Sequence, residues 1–168
     1  MFEVLVFVYE NYWRGDACPE PIQLERKLSA VGFEPDEISQ AIDWLSGLNQ
    51  AAQGTQWQTC DIGLENINVT ESVSTVQSSN SMRVYSVAEQ DHLGADCLGF
   101  VSFLELSGVL PAPMREIVID RAMAVPEAPV ALDDLKIIIL MVYWSFGEEP
   151  DALVLDELCD DSLERVPH

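Results

Sequence analysis

Apolar residues fill most positions from Phe2 to Trp13, with Glu3 and Glu10 giving a narrow wet edge. That pattern predicts a first helix set deep in the core, with a strand as the alternative. After a turn at Gly15 to Pro19, Leu24, Leu28 and Val31 recur at i, i+4 and i+7. They form the stripe of a second helix that opens near Pro21 and closes at Gly32 in a left-handed cap. Glu34-Pro35-Asp36-Glu37 starts a third helix, with proline at a tolerated first position and acids in the turn where they favour the helix dipole. Its inward stripe is Ile38, Ala41, Ile42, Leu45 and Leu48 with Trp44 beside it, so the opposite face carries Asp36, Ser39, Gln40 and Asp43.

Periodicity fails from Gln50 to Ser81, where Gln, Ser, Thr, Asn and Gly dominate. This stretch reads as a long polar loop, with Trp57, Ile62, Leu64, Ile67 and Val69 available for a short ribbon. Met82 to Ser86 alternates as a strand should. Ser86-Val87-Ala88-Glu89 fits a capping box that opens a fourth helix through about Leu106, striped by Leu93, Cys97, Phe100, Val101 and Leu104 and stopped at Gly108. Pro113 starts a fifth helix with Ile117, Val118 and Ala122 inward, ending before Pro126. Leu132-Asp133-Asp134 starts a sixth, apolar on all sides from Ile137 to Tyr143, and a seventh is expected at Pro150 to Cys159 before an acidic tail. The expected fold is therefore mainly α: a winged-helix-like three-helix unit (1–49), a polar loop and β-ribbon (50–86), a helical bundle (87–159) and a tail (160–168).

Charge changes what such a fold can bind. Eight bases stand against 29 acids, a net charge of −21, while the hydrophobic fraction of 48% is ordinary for a globular chain. The bases are scattered, so no basic patch can be assembled and the long-range attraction that supplies most nonspecific nucleic-acid affinity is absent. Cys18, Cys60, Cys97 and Cys159 are far apart, with no close pair to begin a zinc or redox motif, and read as buried free thiols. The apolar amino terminus has Glu3 where a signal peptide needs bases, and the run from Ile137 to Trp144 is too short to span a bilayer. A cytoplasmic protein is expected.

Three helices, a tight turn at Ala30 to Phe33 and a strand pair follow the part order of a winged helix-turn-helix domain, which would make Asp36 to Leu48 the recognition helix. It holds three acids and neither lysine nor arginine, the wrong sign for a major groove. Asp36, Glu37, Gln40 and Asp43 are instead the candidate partner-binding residues, facing a basic protein surface. His92 reads as a surface histidine on the wet edge of the fourth helix. No phosphate loop, nucleophile elbow or His-Glu metal pair occurs, so no catalytic residue, cofactor or metal is called for. Asp133-Asp134 and Asp160-Asp161 have the chemistry for a divalent cation, but helix capping and a solvated tail account for them more simply. In a chain this poor in bases, Arg115 and Arg121 are expected to serve as structural counter-charges.

Several fragments stand out together: Met1-Phe2-Glu3-Val4-Leu5, Gly32-Phe33, Glu37-Ile38, Trp44-Leu45, Arg83-Val84-Tyr85-Ser86 and Glu89-Gln90. Further on come Cys97-Leu98-Gly99-Phe100, Phe103-Leu104-Glu105, Arg115 to Arg121 and Leu132-Asp133-Asp134-Leu135-Lys136. In this order, from Met1 to about Leu158, they resemble the bacterial Smg family. The resemblance implies a bacterial cytoplasmic protein from a family with no assigned activity, whose genes lie near those for DNA processing and peptide deformylation. It supplies no catalytic or binding residues, and the stretch 50–81 departs from the pattern in being longer and more polar. The reading that follows is a noncatalytic acidic adaptor for a basic protein. The alternatives are a degenerate winged-helix regulator acting with a partner subunit, and an enzyme or metal protein built on scattered carboxylates.

Overall fold

The computed structural model describes residues 1–12, 21–54, 83–148 and 150. They form six helices, α1 (Phe2–Asn11), α2 (Pro21–Val31), α3 (Pro35–Gly54), α4 (Val87–Leu106), α5 (Ala112–Met123) and α6 (Leu132–Phe146). The apolar run that becomes α6 dictates the architecture, because a helix without a polar face must be enclosed. Every residue from Leu135 to Tyr143 is buried, and α1, α3, α4 and α5 all pack on this helix. One hydrophobic cluster runs from Val4 on α1 through Leu48, Val101 and Val118 to Tyr143. Among these helices no segment is long and apolar enough to cross a membrane.

Helix α1 buries Val4, Leu5 and Val8 and exposes Glu3 and Glu10, which decides for the helix over the strand. Helix α2 packs on α3 through Leu24 and Leu28, whereas Val31, expected in the same stripe, faces solvent. The chain turns there: the Gly32 and Phe33 N–H groups both donate to the Leu28 carbonyl, at 3.2 and 3.3 Å. Phe33 takes the inward place that Val31 leaves, packing edge-to-face on Phe7 at 5.7 Å.

Helix α3 continues to Gly54, past the expected end near Leu48. Gln50, Ala51, Ala52 and Gln53 favour a helix once tertiary packing holds it. Half-buried Ala51 packs on the core, and Gln53 donates to the Asn49 side chain one turn back at 3.1 Å. The strand expected at Met82–Ser86 is a correction of the opposite kind. Arg83 to Ser86 has no strand structure, and no strand occurs among the described residues. Its alternation has another cause, since Arg83 is drawn between two helices and Gln90 donates to the Tyr85 carbonyl at 2.8 Å. With α1 and α3 packed directly on α6, the described residues form a mainly helical fold, and no strand stands among them to support a winged-helix unit. The ribbon positions from Trp57 to Val69, nearly all of the seventh helix and the acidic tail lie outside the described residues.

The capping box that opens α4 is formed as expected. Ser86 accepts from the Glu89 N–H at 3.3 Å while Glu89 accepts from the Ser86 N–H at 2.7 Å. Helix α4 is broken, however, at Gly94, whose φ of 73° and ψ of 171° belong to backbone space that glycine alone occupies at little cost. The break makes two arms, and both meet α5. The first reaches α5 at Ala122, through His92, and at Glu116, through Arg83. The second leaves Cys97 beside Val130 and ends with Glu105 on Arg115. The far ends of both arms therefore come to the start of α5.

Candidate docking surfaces

Helix α3 presents the sequence-predicted residues in two different states. Asp36, Gln40 and Asp43 are exposed at i, i+4 and i+7, a polar stripe about 10 Å long on one helix face. Glu37 is half-buried, and its carboxylate accepts from the Met1 ammonium at 3.3 Å. That contact ties the chain start to the first turn of α3, so Glu37 differs from the other three in already having a cation. The buried side of α3 is held by Ile38, Ala41, Trp44 and Leu48. The Trp44 indole donates to the Arg121 carbonyl at 3.0 Å, and the Arg121 guanidinium lies against Gly47 so closely that a Cβ there would stand 1.9 Å from Nη1. Trp44 and Gly47 thus fix how α3 meets α5, and with it the direction the acidic stripe faces.

A second cluster joins the segment before α4, both α4 arms and α5. The Arg83 guanidinium donates to Glu116 at 2.9–3.1 Å and to Glu89 at 2.8 and 3.2 Å, and lies 4.8 Å from the centre of the Tyr85 ring. Arg115, only 1% exposed, donates to Glu116 at 2.7 and 3.0 Å and to Glu105. The result is a chain of five side chains, Glu89–Arg83–Glu116–Arg115–Glu105. Paired and hydrogen-bonded charges are the form in which burial of ions is tolerated. Hydrogen bonds from Arg83, and then from the Ser86 backbone, hold the Glu89 carboxyl down at about 2. Burial pushes Glu116 up, but the bonds from Arg83 and Arg115 outweigh it and leave that carboxyl below its ordinary range. Glu116 and Glu89 in turn raise Arg83, which stays charged at any ordinary pH.

The network also explains why the surface is more one-signed than the formal count suggests. Of the six described bases, Arg83, Arg115 and Arg121 are in ion pairs with carboxylates, and Lys136 is buried with its ammonium 5.8 Å from the Phe100 ring centre. Only Arg26 and Lys27 are exposed, and Lys27 lies over Tyr12 at 5.1 Å. Exposed acids such as Asp36, Asp43, Asp91 and Asp96 are left with little positive charge among them.

The family model described as "Protein of unknown function (DUF494)" matches residues 1–168. The Protein Smg homolog of Methylibium petroleiphilum is 58% identical over 168 residues, and that of Leptothrix cholodnii 56%, each match covering all of both chains. The Bordetella avium Protein Smg homolog is 45% identical over 169 residues, again across the whole of both. The chain belongs to the Smg family. No solved structure matches it. The fragments that carried the Smg resemblance in sequence meet in space: Arg83 to Ser86, Glu89, Phe103 to Glu105 and Arg115-Glu116 are all members or immediate neighbours of the charge network.

The other candidate groups in this Smg-family chain have structural partners. His92 is half-buried rather than on a wet edge, and its Nε2 lies 3.1 Å from the Ala122 carbonyl, a contact that needs the Nε2–H tautomer. Its own carbonyl accepts from the Val130 N–H at 2.9 Å, so the residue fastens the first arm to the end of α5 through its ring and to the segment between α5 and α6 through its backbone. Cys97 is a buried free thiol donating to the Val130 carbonyl at 3.3 Å. Burial, with Asp96 and Asp134 nearby, pushes it up to about 11. Cys18, Cys60 and Cys159 lie outside the described residues, as do Asp160 and Asp161. Among the described residues no three His, Cys, Asp or Glu side chains group as metal ligands would.

Arg115 proves to be the buried counter-charge that the shortage of bases predicted, paired with Glu105 ten residues away. Arg121 pairs with its neighbour Asp120. The central role of Arg83 was not foreseen, because the alternation from Met82 to Ser86 pointed only to a strand. The signal was present in Ser86 and Glu89: a capping-box glutamate has a second oxygen free for a nearby base.

Proposed function

We propose that this protein is a noncatalytic cytoplasmic adaptor that docks on a basic protein surface through the exposed acidic face of α3. The observation that carries this reading is the division of charge. Four of the six described bases are drawn into ion pairs or the core, while Asp36 and Asp43 flank Gln40 on a face of α3, a helix that carries neither lysine nor arginine. Glu37, held by the chain start, shapes the edge of that face rather than its centre. Complementary charge chiefly speeds and orients such an encounter, so binding should weaken steeply with salt. A partner that itself binds nucleic acid has the required basic surface. Duplex DNA, by contrast, would meet carboxylates where a recognition helix places arginine.

The test is capture from lysate by immobilised wild-type protein and by an Asp36→Lys/Asp43→Lys variant, with nuclease-treated lysate in parallel. A basic protein retained by wild type regardless of nuclease, released by moderate salt and lost with the variant is the expected result. A catch that depends on intact nucleic acid, or is indifferent to both salt and charge reversal, overturns the reading.

A further inference from the structure

We propose that residues 83–93, the approach to α4 and its first arm, form a strap that swings away from α5 about Gly94 while the rest of the fold stays closed. The strap holds its own shape. Ser86 and Glu89 cap each other at 2.7 and 3.3 Å, and Gln90 donates to the Tyr85 carbonyl at 2.8 Å. The Arg83 guanidinium reaches Glu89 at 2.8 Å and lies 4.8 Å from the centre of the Tyr85 ring. The partners in each of these contacts are six residues apart or fewer, so all of them persist when the strap moves as one body.

What ties the strap to the rest of the molecule is slight. Val84, Ser86, Val87, Ala88, Gln90 and Asp91 are exposed, and the one buried residue, Leu93, sits beside the pivot. The second arm, by contrast, buries Cys97, Val101 and Leu104. The ties from the strap are the Arg83–Glu116 ion pair, the His92 ring on the Ala122 carbonyl, the Val130 N–H on the His92 carbonyl and the half-buried Tyr85 ring. Tyr85 also works against closure, because its hydroxyl is buried without a hydrogen-bond partner among the described residues. A hydroxyl so placed has given up water and gained no replacement, a penalty that opening relieves. Segments with few buried apolar contacts are those that open without global unfolding.

The pivot has the freedom this motion needs. Gly94, at φ 73° and ψ 171°, already interrupts the helix, so rotation there disrupts no continuous helical run. Nothing but the Pro129 Cβ, at 3.9 Å, comes within 4 Å of where a Cβ on Gly94 would stand. Opening frees the Ala122 carbonyl at the end of α5 and leaves Glu116 with Arg115 as its base.

The reporter is the Val130 amide, which lies outside the strap and loses its bond to His92 when the strap opens. Its hydrogen exchange would be followed by nuclear magnetic resonance in the full chain, beside the core amides Ile138 to Leu140 of α6. In the wild type, Val130 should exchange at least about tenfold faster than those core amides, after correction for intrinsic rates. Tyr85→Phe removes the unpaired hydroxyl and should slow Val130 about fivefold or more. Glu116→Gln loosens the clasp on Arg83 from outside the strap and should speed Val130 about fivefold or more. Trp44→Phe, which breaks a contact between α3 and α5 that the open strap keeps, should speed the α6 amides and leave Val130 unchanged. If Glu116→Gln lowers helix content by circular dichroism, the wild type and the other two variants decide the matter. Equal exchange of Val130 and the α6 amides in the wild type overturns the proposal, since Val130 is then freed only by global unfolding. Val130 exchange unmoved by Tyr85→Phe also overturns it, because the segment around Val130 then opens without the strap.

Discussion

Arg115 gives the sharpest prediction about what holds the α4 arms to α5. Its guanidinium is buried and shared between Glu105 and Glu116. Removing one partner of a buried pair typically costs about 3–5 kcal/mol. Here the carboxylates left behind are partly exposed and Glu116 keeps Arg83, so water and that second arginine recover part of the loss. Arg115→Met, which retains the aliphatic stem, should therefore cost about 2–3 kcal/mol in urea unfolding at neutral pH. Arg115→Ala also removes roughly two buried methylenes at about 0.8 kcal/mol each and leaves a cavity, for about 4–5 kcal/mol in all. The acid limb gives an independent readout. Glu89 and Glu116 release their protons more readily folded than unfolded, so the stability they add is present above the ordinary carboxylate range. It is lost as pH falls from about 4.5 toward about 2. Arg115→Met takes one donor from Glu116 and should flatten that loss. A variant within about 0.5 kcal/mol of wild type, the range of ordinary surface changes, and with an unchanged acid limb would refute the reasoning.

Three further outcomes follow from the packing. Gly94→Ala forces a side chain into glycine-only backbone space at the apex of α4 and should cost about 1–3 kcal/mol by the same unfolding assay. Trp44→Phe leaves the Arg121 carbonyl without its indole donor and should cost about 1–3 kcal/mol, with the far-ultraviolet dichroism unchanged. In a variant keeping Cys97 as its only cysteine, the native thiol should react with a disulfide reagent at pH 8 orders of magnitude more slowly than in urea, because burial both raises it to about 11 and blocks access.

How much of this was legible in sequence depended on how local each determinant is. Helices α1 to α6 follow from apolar spacing and end signals within a few residues. The capping box at Ser86 and the all-round burial of α6 are such cases. The misses are decisions made at a distance. Gln50 to Gly54 is polar enough for a loop, but its backbone extends a helix already anchored by Trp44 and Leu48. Arg83 to Ser86 alternates as a strand would, yet its conformation is set by carboxylates on α4 and α5 that no local pattern reveals. His92 looked wet because its sequence neighbours are acids, whereas its hydrogen-bond partner is a carbonyl 30 residues away. For the candidate docking residues, spacing alone put Asp36, Gln40 and Asp43 on one face, while the pairing of Glu37 with the chain start required the packing of α1 on α3.

The central claim is that exposed carboxylates on α3 recognise a basic protein, and the most direct test is the salt dependence of binding to the captured partner. Dissociation constants for wild type and Asp36→Lys/Asp43→Lys would be measured by calorimetry across a salt series. Wild-type affinity should fall steeply with rising salt, and the variant should bind more weakly and with a shallower slope. Equal affinities and equal slopes for the two proteins would contradict the claim.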